Sequence, residues 1–244
     1  MRTFVFLSLI LILTSCSNDD DFTVELNLNF EHHVDGQNLV FNEVNYENNS
    51  EEFYAISELK YIISNIQFQN KNGEWFTYTV ENSYFLINAE VEESLTVNLS
   101  NIPNGNYQKI RFGIGVDQSN YPLNGVNNFV PTAEDNDMLW SWSAGYIFLK
   151  FEGEYHLIEP VAPENFLYHV GSHGQNLDNY RTVNLPIDLN LDSDSQIDIS
   201  ADVSKIFDAT HQMSLQQKDD IQIDPENAPK IMDNAIQMFQ IQNN

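Results

Sequence analysis

The stretch Met138-Leu139-Trp140-Ser141-Trp142-Ser143-Ala144-Gly145-Tyr146-Ile147-Phe148-Leu149-Lys150-Phe151-Glu152-Gly153 holds two of the chain's three tryptophans, directly before its most continuous apolar run. On an extended strand alternate side chains share a face, so Met138, Trp140 and Trp142 are expected to line one side together. From Tyr146 to Phe151 both faces are largely apolar, the pattern of a strand buried on two sides. One face with a thioether and two indoles, continued by a buried strand, reads either as core or as one wall of a site.

The segments on either side are strands. Val24 to His33 alternates strictly, so Val24, Leu26, Leu28 and Phe30 face inward, His32 with them, and His33 outward. An inward histidine at a strand end is more often a satisfied core residue than a ligand. Strands are also expected over Tyr61–Phe68, with Ser57 and Glu58 offering one short helical turn before it. Further strands are read at Trp75–Val80, Tyr84–Ile87, Leu95–Leu99 and Ile110–Val116. Tyr121 to Asp137 is a long irregular loop, a length usually reserved for functional or mobile segments. Phe166 to Gly171 is a short strand ending in Gly171-Ser172-His173-Gly174. Val183 to Leu191 and Ile197 to Val203 alternate on either side of Asp192-Ser193-Asp194-Ser195 and read as a hairpin. After Pro225, Ile231, Met232, Ala235, Ile236 and Phe239 form one helical stripe. About ten strands and one short C-terminal helix make a single all-β domain, a β-sandwich of the Ig-like or Greek-key type.

The first residues stand outside this fold. Arg2 gives a positive start, Phe4 to Leu13 is apolar and too short to span a bilayer, and Leu13-Thr14-Ser15-Cys16 closes the run. That ending resembles a bacterial lipobox, which implies a lipoprotein signal peptide over residues 1–15 and a lipid on Cys16. Residues 16–22 then form a lipidated acidic linker, and 23–244 the folded domain. Cys16-Ser17-Asn18-Asp19-Asp20-Asp21 also resembles the acidic export signal of some outer-membrane lipoproteins. The anchor is expected to place the protein in the outer membrane, at the cell surface or on its periplasmic face.

Composition excludes several chemistries. Cys16 is the sole cysteine, so the domain has no disulfide, thiolate zinc site, iron–sulfur cluster or blue-copper site. With 36 acidic against 10 basic residues the net charge is −26, which disfavours nucleic acid and anionic membrane surfaces as partners. No nucleophile elbow, phosphate loop, dinucleotide fingerprint or zinc helix occurs. The Asp192, Asp194, Gln196, Asp198 series mimics part of a calcium loop but lacks its glycine and terminal glutamate. His33, His156 and His211 read as surface residues. The remaining candidates are His32, His169, His173, Met138, Trp140 and Trp142. Imidazole nitrogen and thioether sulfur suit copper, Cu(I) especially.

Several blocks in order carry a resemblance: Phe30-Glu31-His32-His33-Val34-Asp35-Gly36-Gln37, Leu59-Lys60-Tyr61-Ile62-Ile63-Ser64-Asn65, Pro103-Asn104-Gly105-Asn106-Tyr107, Ile114-Gly115-Val116-Asp117, Met138 to Tyr146, Phe151-Glu152-Gly153 and Tyr168-His169-Val170-Gly171. Together they resemble the MbnP-like copper-binding proteins, from about Val24 to Phe239, with Met-x-Trp-x-Trp-x-x-Gly-Tyr the most specific motif. The resemblance implies an extracytoplasmic β-sandwich, monomeric, that holds one copper ion with histidines and an oxidised tryptophan. In that family a diheme, peroxidase-like partner enzyme converts the tryptophan to kynurenine, whose ketone and aniline nitrogen are new donors. Carried over by motif, the modified residue is Trp140 or Trp142, and the ligand histidines are His32 and His169, with His173 a further candidate. Many relatives carry a histidine in the loop after Gly-Val-Asp; here that region is Asp117-Gln118-Ser119-Asn120-Tyr121, without one.

The implied function is copper acquisition or storage by a lipoprotein that catalyses nothing itself. The alternative is a metal-free surface module for glycans or protein partners, using Tyr121, Phe129, Tyr155 and Tyr180 as exposed rings.

Overall fold

In the computed structural model the described residues are 22–43, 46–79, 83–117, 129–140, 145–157, 162–173 and 177–242. Two sheets pack face to face. The smaller is built on β1 (Thr23–Val34), whose alternating burial is the one its sequence dictates. β12 (Ser195–Asp202) pairs with β1 in parallel, while β7 (Thr96–Pro103) and the short β2 (Gln37–Asn38) pair with it antiparallel; β14 (Phe239–Ile241) extends β12.

The larger sheet is organised by β4 (Phe53–Asn70), 18 residues long. Its order is β11 (Arg181–Leu191), β8 (Gly105–Ile114), β4, β9 (Leu149–His156), β10 (Glu164–Val170) and β13 (Asp220–Ile221). The short β3 (Tyr46–Glu47), β5 (Trp75–Thr77) and β6 (Tyr84–Asn88) also pair with β4. The core between the sheets is aromatic. Phe30 meets Phe112, Tyr61 and Phe239 edge to face, and farther along Phe207 packs on Tyr54, Phe151, Phe166 and Tyr168. Such edge contacts place the positive ring rim on a negative face, each adding about 1 kcal/mol to the burial itself.

The all-β sandwich and its C-terminal helix are as expected, but five local readings are corrected. β11 and β12 are not a hairpin: β11 pairs with β8 in the larger sheet and β12 with β1 in the smaller, so the Asp192–Ser195 turn carries the chain across the sandwich. Alternation shows that each strand is half-buried and the turn shows a reversal; neither specifies which sheet is joined. Met138 to Trp140 is not part of a strand. A single bridge pairs Leu139 with Tyr146, and regular pairing begins only at Leu149. The loop before Met138 contains a short helix, α1 (Val130–Asp135), with Pro131 in its first turn, where the missing N–H costs nothing. Ser57 and Glu58 lie within β4, which bulges there instead of turning, and Phe239 belongs to β14, beyond the closing helix α2 (Ala228–Ala235).

Candidate functional site

The motif blocks converge because β4 changes partners at its middle. Ile62 N–H donates to Phe148 C=O (3.0 Å) and Ile62 C=O accepts from Gly115 N–H (2.9 Å), so the end of β8 and the approach to β9 meet on one residue. Phe148 N–H in turn donates to Val170 C=O (2.7 Å), which brings the end of β10 to the same place. Two glycines permit the close approach. Gly115 has φ +99° and lies flat against the Phe148 ring, where a Cβ would collide. At Gly171 a Cβ would meet the carbonyl oxygen of Tyr146 and the benzo ring of Trp140.

Trp140, 5% exposed, stacks on His173 with ring centroids 4.2 Å apart and planes inclined by 30°. Met138 is fully buried two residues earlier, its C=O accepting from Ile147 N–H (2.8 Å), while Trp140 N–H donates to Gly145 C=O (3.2 Å). These bonds fix the backbone from which the indole projects. His173 is held through its own backbone, N–H to Leu177 C=O at 2.9 Å. Burial depresses the His173 pKa, so at neutral pH the ring is an uncharged imidazole with a nitrogen lone pair to offer.

Two buried side-chain oxygens, on residues that border Gly171, lack a hydrogen-bond partner among the described residues. One is the phenol oxygen of Tyr146, whose pKa burial pushes up to about 12; the other is Oδ1 of Asn179. Asn179 is fully buried, and its Nδ2 donates to Gly171 C=O (2.8 Å). Buried polar atoms in folded proteins are nearly always satisfied, and exceptions mark sites for water, ions or chemistry. Behind Tyr146 the rings of Phe129 and Tyr84 continue at centroid spacings of 5.9 and 6.0 Å. There Tyr84 Oη and Asn65 Nδ2 both donate to Asp117 (3.3 and 2.9 Å). Asn65 does so from a left-handed conformation, φ +51°, which asparagine tolerates better than most residues.

The other two candidate histidines are elsewhere, and on opposite faces of the larger sheet. His32 points into the core, 9% exposed, with Nε2 2.9 Å from Tyr61 Oη. Burial, with a smaller contribution from His33, lowers its pKa to about 4. His169 lies beyond β4 on the outer face, since its neighbours Tyr168 and Val170 fill the inner one. There its Nε2 is 2.6 Å from Glu152, and Glu152, Lys150, Glu58 and Lys60 form one ion-paired patch. Lys150 is only 8% exposed; burial alone would lower its pKa, but Glu58 and Glu152 raise it. No single ion can be bound by both His32 and His169: alternate strand positions put a sheet between them.

Trp142, Cys16, Ser119, Asn120 and Tyr121 lie outside the described residues. Phe129 and Tyr155 are 4% and 5% exposed, and Tyr180 is half-buried against Gly113, its hydroxyl accepting from Asn65 Nδ2 (3.0 Å), so these three rings pack inward. Of the calcium-like series, Asp194 in the turn accepts from Glu25 N–H, and Asp198 on β12 from Asn29 Nδ2 on β1. Sequence reasoning did not single out Tyr146 or Asn179 as site residues. Tyr146 sits inside the most specific motif, which was a usable signal; Asn179 carries none.

Among the described residues no three histidine, cysteine, aspartate or glutamate side chains are grouped so as to hold a metal.

Fold and geometry together define a β-sandwich protein with a tryptophan–histidine pair at the point where three strands of its larger sheet meet. The MbnP family model matches residues 23–233, and the chain belongs to that family. Among solved structures it is similar to MbnP from Methylosinus trichosporium, with 13% sequence identity and a TM-score of 0.52 over 78% of this chain and 80% of that one. At that identity the likeness shows the fold. No curated protein sequence matches significantly.

Proposed function

We propose that this chain is an extracytoplasmic lipoprotein that binds one copper ion at Trp140–His173, for copper acquisition or storage, without catalytic turnover. The observation that carries the reading is the stack of a neutral, half-buried imidazole on a buried indole.

The donor chemistry fits copper. His173 supplies imidazole nitrogen, and Met138, two residues from Trp140, supplies the thioether that Cu(I) favours. Indole is a poor ligand. If a diheme, peroxidase-like partner withdraws four electrons while water cleaves the C2–C3 bond and C2 leaves as formate, Trp140 becomes kynurenine, whose ketone and aniline nitrogen are additional donors. Trp142 is the other ring to which that modification is open. Gly171 lies against the Trp140 ring and the Gly145 C=O accepts from the Trp140 backbone N–H, so modification changes the ring's chemistry without needing a new fold. His32 keeps its role in the core and His169 its role in the charged patch.

The test is peptide mapping by mass spectrometry across Met138 to Lys150 on protein from its native host, with bound copper counted on the same sample. The reading expects kynurenine at Trp140 or Trp142 and about one copper per chain. Intact indoles without copper would refute it. Intact indoles with copper would remove the modification and leave binding to His173 and Met138.

A further inference from the structure

We propose that a second site, a cleft between the β4–β5 and β7–β8 turns, binds a neutral oligosaccharide. The cleft has a volume of about 530 Å³ and is bounded by Trp75, Asn72, Glu74, Asn104 and Asn106. Asn70 at its edge lies eight residues along β4 from Ile62, roughly 26 Å in an extended strand, so it is remote from Trp140.

Both walls are rigid before any ligand arrives. Asn70 Oδ1 accepts from the backbone N–H of Asn72 (3.0 Å) and Glu74 (2.9 Å), closing the first turn on itself. Lys71 N–H donates to Asn106 C=O (3.1 Å), tying the two turns together, and Tyr107 Oη donates to Pro103 C=O (2.7 Å) inside the second. A ligand entering a preformed cleft orders little of the protein, which favours affinity from few contacts.

The indole is supported as well. The Arg111 guanidinium lies 4.0 Å from the centre of the Trp75 ring, and is itself held by Nε–H to Asn184 Oδ1 (2.8 Å) and an η-nitrogen to Gln67 Oε1 (3.3 Å). Arg111 lines a neighbouring cleft and not this one, so it covers the face of Trp75 turned away, leaving the indole as a fixed platform on this side. A flat apolar ring surrounded by amides matches a pyranose, whose C–H face stacks and whose hydroxyls both donate and accept.

Local charge points to a neutral ligand. In a chain of net charge −26, Lys71 pairs with Asp188 (3.0 Å) and Glu74 Oε2 accepts from Asn70 Nδ2 (2.9 Å), so the cleft presents amides more than free charge.

The test titrates the full mature chain with cellohexaose, xylohexaose, mannohexaose, laminarihexaose and maltohexaose by calorimetry and tryptophan fluorescence. At least one should bind, Trp75→Ala should weaken it at least tenfold, and Trp140→Phe should leave it unchanged. If Trp75→Ala fails to fold, the Asn104→Ala/Asn106→Ala variant carries the same expectation. Binding by none of the five at millimolar concentration, binding unaffected by the cleft variants, or binding only of a sulfated polysaccharide that salt displaces would overturn the proposal.

Discussion

His32, buried, and His173, half-buried, both have their pKa lowered by desolvation, and both rest against an aromatic ring. His32 meets Tyr61 through a hydrogen bond, with the rings tilted by 62° and 5.7 Å apart; His173 lies nearly parallel to Trp140 at 4.2 Å. In the first pair the polar atoms satisfy one another and nothing remains to be offered. In the second the contact is through ring faces. That contrast sets a histidine that completes a core apart from the one proposed as a ligand. It follows from how each ring meets its partner, since burial lowers the pKa of both.

Substitutions can break this contrast. The largest effect is expected from His173→Ala in copper-loaded protein. Affinity in a Cu(I) competition assay should fall on the order of a thousandfold, about 4 kcal/mol, while His32→Leu leaves it unchanged. Equal losses in the two variants would erase the distinction. His32→Leu should instead cost about 3 kcal/mol in urea unfolding, because it strands the Tyr61 hydroxyl in the core as well as removing packing.

The pH dependence sharpens the point. A histidine whose folded pKa is about 4, against 6.5 unfolded, favours the native state fully above pH 6.5, and that contribution is lost as pH falls to 4. Wild-type stability should decline by about 3 kcal/mol across that window on this account, and His32→Leu should lose the slope, narrowing the gap between the two proteins in acid. Parallel curves would show that His32 does not titrate as its burial requires.

Gly171→Ala tests the other region. The added methyl strikes the Tyr146 carbonyl and Trp140, so a loss of about 2 kcal/mol and a changed Trp140 fluorescence are expected. The smallest effect is a recovery: adding Tyr61→Phe to His32→Leu removes the stranded hydroxyl and should restore about 1 kcal/mol.

Local pattern in the sequence reached a long way. Strict alternation in β1 placed His32 inward, and the double-faced apolar run marked the centre of the larger sheet. Lys150 sits inside that run, nearly buried, because Glu58 and Glu152 neutralise it and Asn136 and Asp137 after α1 lie over the same face; such a neighbour is not encoded in strand periodicity. The β11–β12 misreading has the same root, as pairing partners are chosen across the whole chain. His169 fitted the motif better than His173, yet parity on β10 directs it to the outer face. The four residues to His173 carry the chain off the strand and up to Trp140. Which histidine reaches Trp140 depends on where the strand stops.

The parallel pairing of β1 with β12 sets the order in which the chain can be completed. Leu26 stands opposite Ser195, so the first strand to be made has as its neighbour one that is made near the end. A chain emerging from its N-terminus presents β1 long before β12 and β14 arrive, with the two-residue β2 and then β7 the earlier strands able to shield one edge. Contacts so distant in sequence fold slowly and leave an open edge that invites wrong partners. The polar alternate positions of β1, among them Glu25, Asn27, Asn29 and Glu31, would keep that waiting strand soluble until its neighbour emerges.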